Sequence, residues 1–204
     1  LYPRQREFKE FLEKKIQKHG GIAIICIGII VGYYYYLSNH GKKDVENSTE
    51  ISKVDEALSR DLAKDYPPTP REVVKFYNKL LQCFYNEDCS KSEIEELGGQ
   101  ARLLMDDALL ANNPKEQYLT LLESDIQDSK DKGKTISDTT VANSSDIKYQ
   151  KVKGEECAYV TASYFVKEGN SYTRTYEEYV LRKDTNKQWK ILGYQLTKGD
   201  SSDE

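Results

Sequence analysis

Histidine is almost absent from this chain of 204 residues, which holds only His19 and His40. The long C-terminal part therefore lacks the imidazole on which serine–histidine and cysteine–histidine nucleophile systems depend. Ordinary zinc sites draw on the same side chain, so no metal is expected and no catalytic residue is assigned. A phosphate-cradling glycine loop is missing as well: Gly98-Gly99 is not followed by Lys-Ser or Lys-Thr, which argues against nucleotide chemistry and leaves no cofactor expected. Excess positive charge is lacking beyond the N-terminal segment. From Asp44 onward 22 basic residues face 31 acidic ones, a balance that disfavours nucleic acid and anionic lipid as partners of this part.

Against a polar average (mean hydropathy −0.75) one stretch stands out. Gly20 to Asn39 is a run of 20 residues without a charge, and a hydrocarbon core of ~30 Å needs about 20 helical residues to cross. The run predicts a transmembrane helix over 20–39, with the lipid bilayer as its partner and Tyr33 to Tyr36 at the water interface. Arg4, Arg6, Lys9, Lys14, Lys15 and Lys18 precede it, whereas only Lys42 and Lys43 follow closely. The positive-inside bias then sets the N-terminus in the cytoplasm and the C-terminal domain outside it, in a single-pass protein of the cell membrane. A cleaved signal peptide would need small residues after the run, and Tyr33 to Leu37 offer none.

The expected organisation is a basic segment over 1–19, the span over 20–39, a linker with a short helix over 40–65, a folded domain over 66–197 and a polar tail over 198–204. In the linker, Ile51, Val54, Leu58 and Leu62 recur at helical spacing, a face best used against the domain that follows. Asp65-Tyr-Pro-Pro breaks that helix, and Thr69-Pro70-Arg71-Glu72 starts the next with a capping box. Val73, Tyr77, Leu80 and Phe84 form its apolar stripe. Ser90-Lys-Ser-Glu93 is a second capping box. Gly98-Gly99 then interrupts, the helical period resumes from Leu103 to Leu110, and Asn113-Pro114-Lys115-Glu116 caps a helix carrying Tyr118, Leu122 and Ile126.

Beyond Lys134 the period changes to two. Ala158, Val160, Ala162, Tyr164 and Val166 alternate with Tyr159, Thr161, Ser163 and Phe165; Glu168-Gly169-Asn170 turns into Ser171 to Arg182, and Lys183 to Lys187 turns into Trp189 to Thr197. With a weaker strand around Ile136 to Ile147 this predicts an antiparallel sheet of three or four strands, in an α+β domain with its helices on one face.

Helices followed by a meander of long strands resemble the NTF2-like superfamily. Thr69-Pro-Arg-Glu-Val-Val-Lys-Phe-Tyr77, Cys83-Phe-Tyr-Asn86 and Tyr179-Val-Leu-Arg-Lys183 are similar to segments of uncharacterised single-span membrane proteins of Gram-positive bacteria. The resemblance covers about Gly20 to Leu196, and it implies an NTF2-like cone of helices packed on a curved sheet, outside the cytoplasm. It carries no activity, since no catalytic signature is shared. In NTF2-like enzymes a buried carboxylate works beside a tyrosine; Asp106, Asp107 and Tyr118 are candidates for such a site here, but adjacent aspartates on one helix better fit surface or capping roles.

Among the 16 tyrosines, those directed into the cone would line a ligand pocket: Tyr77, Tyr118, Tyr164 and Tyr179, joined by Trp189. The competing explanation is that tyrosine is a good strand residue with a wet tip. Cys83, Cys89 and Cys157 are disulfide candidates. A turn at Asn86 would allow Cys83 to reach Cys89, and Cys83 to Cys157 would staple helix to sheet; spacing does not choose between them. The function expected is that of a membrane-tethered, extracytoplasmic, non-catalytic binding or assembly domain, with a protein partner or a second copy of itself. The alternative is an isomerase- or dehydratase-type enzyme acting on a small apolar ligand.

Overall fold

The computed structural model describes residues 52–198. The basic segment 1–19, the uncharged run 20–39, the linker up to Ile51 and the tail from 199 lie outside the described residues. Helix α1 (Lys53–Leu58) is capped by Ser52, whose hydroxyl accepts from the Asp55 amide, and it ends where the Ser59 hydroxyl donates to the Glu56 carbonyl. Val54, Ala57 and Leu62 are buried in the main core. The core thus begins on the N-terminal side of the Pro67-Pro68 break, and the short helix packs on the domain.

Helix α2 (Pro70–Asn86) starts with Thr69 accepting from the Glu72 amide and with Pro70 at its first position. Glu72 does not return the bond expected of a capping box. Its carboxylate pairs instead with Lys75 at 3.2 Å and Arg71 at 3.4 Å. Helix α3 (Lys91–Leu103) carries the complete reciprocal box of Ser90 and Glu93. It runs through Gly98-Gly99 without interruption, because Gly98 is where α5 (Lys115–Asp131) crosses: a Cβ there would lie 2.8 Å from Leu119 Cδ2. Absence of a side chain here serves close packing, and the helix absorbs the unfavourable propensity.

The expected continuous helical period from Leu103 to Leu110 is corrected. The chain leaves α3 at Leu104 and docks alongside the last strand, with the Asp106 amide donating to the Ile191 carbonyl and the Ile191 amide to the Leu104 carbonyl, both at 2.8 Å. Asp106 then caps the short α4 (Asp107–Asn112). Pro114, not Asn113, occupies the cap position of α5, and the Asn113 side chain turns back to the Leu109 carbonyl.

Five strands follow: β1 (Lys134–Val141), β2 (Lys148–Val152), β3 (Glu155–Glu168), β4 (Ser171–Lys183) and β5 (Trp189–Thr197). All pairings are antiparallel, in the order β1-β3-β4-β5, with β2 sharing the β1 edge of β3. The expected single weak strand over Ile136 to Ile147 is in fact two, separated by a 3-10 turn at Ser144–Asp146. Gly169, at φ +58°, takes the left-handed conformation in the tight β3–β4 turn. The Asp184 carboxylate accepts the Asn186 and Gln188 amides, each at 2.8 Å, to shape the β4–β5 turn.

Ala158, Val160, Ala162, Tyr164, Tyr179, Leu181 and Ile191 belong to the core shared with the helices, whereas Cys157 and Tyr159 are buried outside it, on the opposite face. Two edges are closed by groups that are not strands. Leu104–Asp106 covers part of β5, and the Asn86 side chain pairs with both the amide and the carbonyl of Ile136 on β1, at 2.8 Å each.

The expected fold of a transmembrane helix followed by an NTF2-like cone is corrected to the α+β arrangement just described. Among the described residues no helix is long and apolar enough to cross a membrane. The described helices are amphipathic and turn apolar residues to the core shared with the sheet.

Candidate functional site

Alternation along β3 and β4 sends Tyr164 and Tyr179 inward, where they meet α2. Tyr179 is fully buried, and its ring is met edge-on by Tyr77 at 6.0 Å and tilted by Tyr194 at 5.3 Å. The Tyr164 hydroxyl lies 2.7 Å from Asn78 Oδ1 and 2.5 Å from the Tyr179 hydroxyl, which in turn lies 2.8 Å from Glu177 Oε2. Glu177 sits on the same face as Tyr179, two residues earlier on β4. Burial raises its pKa above the ordinary 4.5, and the Tyr179 hydrogen bond works in the opposite direction. Burial likewise pushes the phenols of Tyr77, Tyr164 and Tyr179 well up, so they stay neutral across the physiological range. Beside them Tyr85 of α2 donates to Asp125 of α5.

The five expected ligand-lining residues are thus all buried. Tyr77, Tyr164 and Tyr179 come together in one cluster. Tyr118 packs beneath the Arg102 guanidinium, 5.4 Å from its ring centre, and burial pushes its phenol up to about 12. Trp189 lies at the far end of the sheet, covered by Tyr149 and Lys183. Two surface depressions among the described residues are lined by none of Tyr77, Tyr164 and Tyr179. One of about 500 Å³ opens between α1 and α2 beside Arg60, Phe76 and Lys79, and one of about 120 Å³ lies over Tyr85, Asp125 and Lys132. Among the described residues no group of histidine, cysteine and carboxylate side chains is placed to hold a metal ion.

Asp106 and Asp107 separate sharply. Asp106 is buried and bound by Arg182 through Nε at 2.9 Å and Nη2 at 2.5 Å, while capping the Ala108 amide at 2.8 Å. Asp107 is exposed. The Arg182 guanidinium also reaches Glu155 at 2.8 Å, so this centre is a structural clasp rather than an acid–base pair.

The three described cysteines are free thiols. Cys83 Sγ approaches the Lys53 carbonyl and Cys89 Sγ the Cys83 carbonyl, each at 3.5 Å. Burial is the main force raising both thiols, Cys83 to about 11. Cys157 lies on the sheet face turned away from α2, so the helix-to-sheet staple with Cys83 is not the arrangement found.

Asn78 and Glu177 were missed by sequence reasoning. Asn78 was legible in principle as a polar residue within the apolar stripe of α2, four residues after Val74. Glu177 was not, because Thr175-Tyr-Glu-Glu-Tyr179 offers a polar group to either face. On the sheet face turned away from α2 the β3–β4 hairpin carries a stacked pair, Phe165 and Tyr172, with ring centres 5.3 Å apart. Arg174 and Lys167 lie over these rings at 5.8 and 5.9 Å, and Tyr172 keeps 55% of its surface exposed.

No curated protein matches the sequence. A family model described as a domain of unknown function (DUF6715) matches residues 9–194, and the chain belongs to that family.

Proposed function

We propose that this is a non-catalytic binding or assembly domain, which meets a protein partner or a second copy of itself through the β3–β4 hairpin end of the sheet face turned away from α2. The observation that carries the reading is the contrast between the two faces. Inward tyrosines are packed and hydrogen-bonded to one another, whereas Phe165, Tyr172, Lys167 and Arg174 form an aromatic–cation ladder at the surface. Exposed aromatics backed by cations are the composition of interface anchors. Placement outside the cytoplasm, held at the membrane through the uncharged run 20–39, is part of the same proposal and rests on sequence alone.

A photo-crosslinking residue in place of Tyr172, in the full chain in its host membrane, tests the reading. The expected result is one discrete adduct that Arg174→Glu abolishes. Adducts no stronger than those from the same residue at Leu121, on the helical side, would sink it.

The enzyme reading is favoured by one observation, the half-buried Glu177 carboxyl beside the Tyr179 hydroxyl. It is opposed by the commitment of that hydroxyl to Tyr164 and Glu177 at once.

A further inference from the structure

Counting protons along the buried chain from Asn78 to Glu177 gives a result that burial and distance alone do not. Three contacts join four groups: Asn78 Oδ1 to Tyr164 at 2.7 Å, Tyr164 to Tyr179 at 2.5 Å, and Tyr179 to Glu177 Oε2 at 2.8 Å. Each is oxygen to oxygen, so three protons are needed. The two hydroxyls supply one each; an amide oxygen and an ionised carboxylate supply none. With Glu177 charged and Asn78 presenting its oxygen, one contact would be two lone pairs facing each other.

Two arrangements restore the count. In one, Glu177 is protonated and donates to Tyr179, which donates to Tyr164, which donates to Asn78 Oδ1. In the other, Glu177 is ionised and the Asn78 amide is turned over, so that Nδ2 donates to Tyr164, Tyr164 to Tyr179, and Tyr179 to the carboxylate. The first leaves Asn78 Nδ2 buried with no partner, as the structure has it. The second puts the amide oxygen in that place, where an unsatisfied acceptor is tolerated more readily than an unsatisfied donor.

We propose that the protonation of Glu177 and the orientation of the Asn78 amide are coupled across Tyr164 and Tyr179, so that taking up or losing one proton at β4 reverses all three hydrogen bonds and turns over the amide on α2. The groups facing Glu177 fit this role. They are Tyr164 of β3, Tyr179 of β4 and Tyr85 of α2, with Asp125 of α5 behind Tyr85, Leu196 of β5 opposite on the sheet and Tyr194 of β5 beside Tyr85 and Tyr164. No lysine or arginine among the described residues acts on the carboxyl, so burial favours its neutral form unopposed by a cation. The relay runs through phenols that remain protonated, which confines the exchange to the two ends.

Carbon- and nitrogen-detected NMR of the full chain from pH 3.5 to 8 tests the coupling, following the Glu177 carboxyl carbon and the Asn78 side-chain amide. The expected result is a common midpoint for both, with the Asn78 signals becoming stationary in Glu177→Gln. In Tyr164→Phe the chain is cut: Asn78 stops responding while Glu177 still titrates. Should that variant fail to fold, Tyr179→Phe makes the same cut. Asn78 signals that hold still across the range in the native chain overturn the proposal, as do signals that keep moving with the Glu177 midpoint once the chain is cut.

Discussion

The clasp between Asp106 and Arg182 is the interaction whose loss should be felt most. Asp106 keeps 5% of its side chain exposed and Arg182 25%, and the carboxylate both binds the guanidinium and caps α4. Losing an N-cap costs about 1 kcal/mol. Breaking a fully buried ion pair from one side costs about 3–5 kcal/mol. Arg182 would keep its 2.8 Å contact with Glu155 and its quarter exposure to water, which reduces the pair's share to about 1–2 kcal/mol. Asp106→Ala should therefore lower the unfolding free energy by about 2–3 kcal/mol. Asp106→Ser restores the cap but not the pair, and should recover about 1 kcal/mol of that loss. Arg182→Met strands the better-buried partner and should cost at least as much as Asp106→Ala. Urea unfolding of the full chain, followed by circular dichroism at pH 7, measures all three. Losses below about 0.5 kcal/mol for both Asp106→Ala and Arg182→Met, or additive effects in the double variant, would refute the reasoning.

Two further outcomes follow from the described geometry. Because burial raises the Glu177 pKa above 4.5, the folded protein holds that proton to higher pH than the unfolded chain does. The group's contribution is complete below its unfolded pKa and is lost as pH rises through the folded one. Glu177→Gln should remove that decline, so its melting temperature relative to the native chain should rise between pH 4 and pH 7; a constant difference would contradict the burial argument. At the glycine pair, Gly99→Ala meets nothing within 4 Å and should stabilise by up to about 1 kcal/mol, while Gly98→Val drives a branched side chain into Leu119 and should destabilise. A Gly98→Val variant melting no lower than the native chain would show that α5 does not cross closely at Gly98.

The strands were the most legible part of the fold. β3 alternates alanine, valine and tyrosine inward over most of its length, and β5 is bounded by a turn whose Asp and Asn announce it. β2, Lys-Tyr-Gln-Lys-Val, has no apolar alternation and is a strand because β3 offers it an edge. The Gly98-Gly99 pair misled for a related reason: its use is set by a helix that arrives later in sequence. So did Leu104–Asp106, whose apolar spacing continues the helix although its backbone partners are on β5. The candidate site was legible only in part. Tyr77, Tyr164 and Tyr179 could be named as inward aromatics, but Asn78 and Glu177 gain their meaning from hydroxyls on other elements, a relation that spacing along one strand or helix does not encode.

The docking of Leu104–Asp106 on β5 also has a bearing on how the chain is made. Asp106 meets Arg182 only after a further 76 residues, which a ribosome working at about 5–20 residues per second delivers in about 4–15 s. Throughout that interval α1 to α3 wait with their sheet-facing stripes bare, and α4 and α5 are made before the strands that cover them. Completion waits on the domain's own last strand, so until β5 is made the helices depend on whatever shields nascent apolar surface.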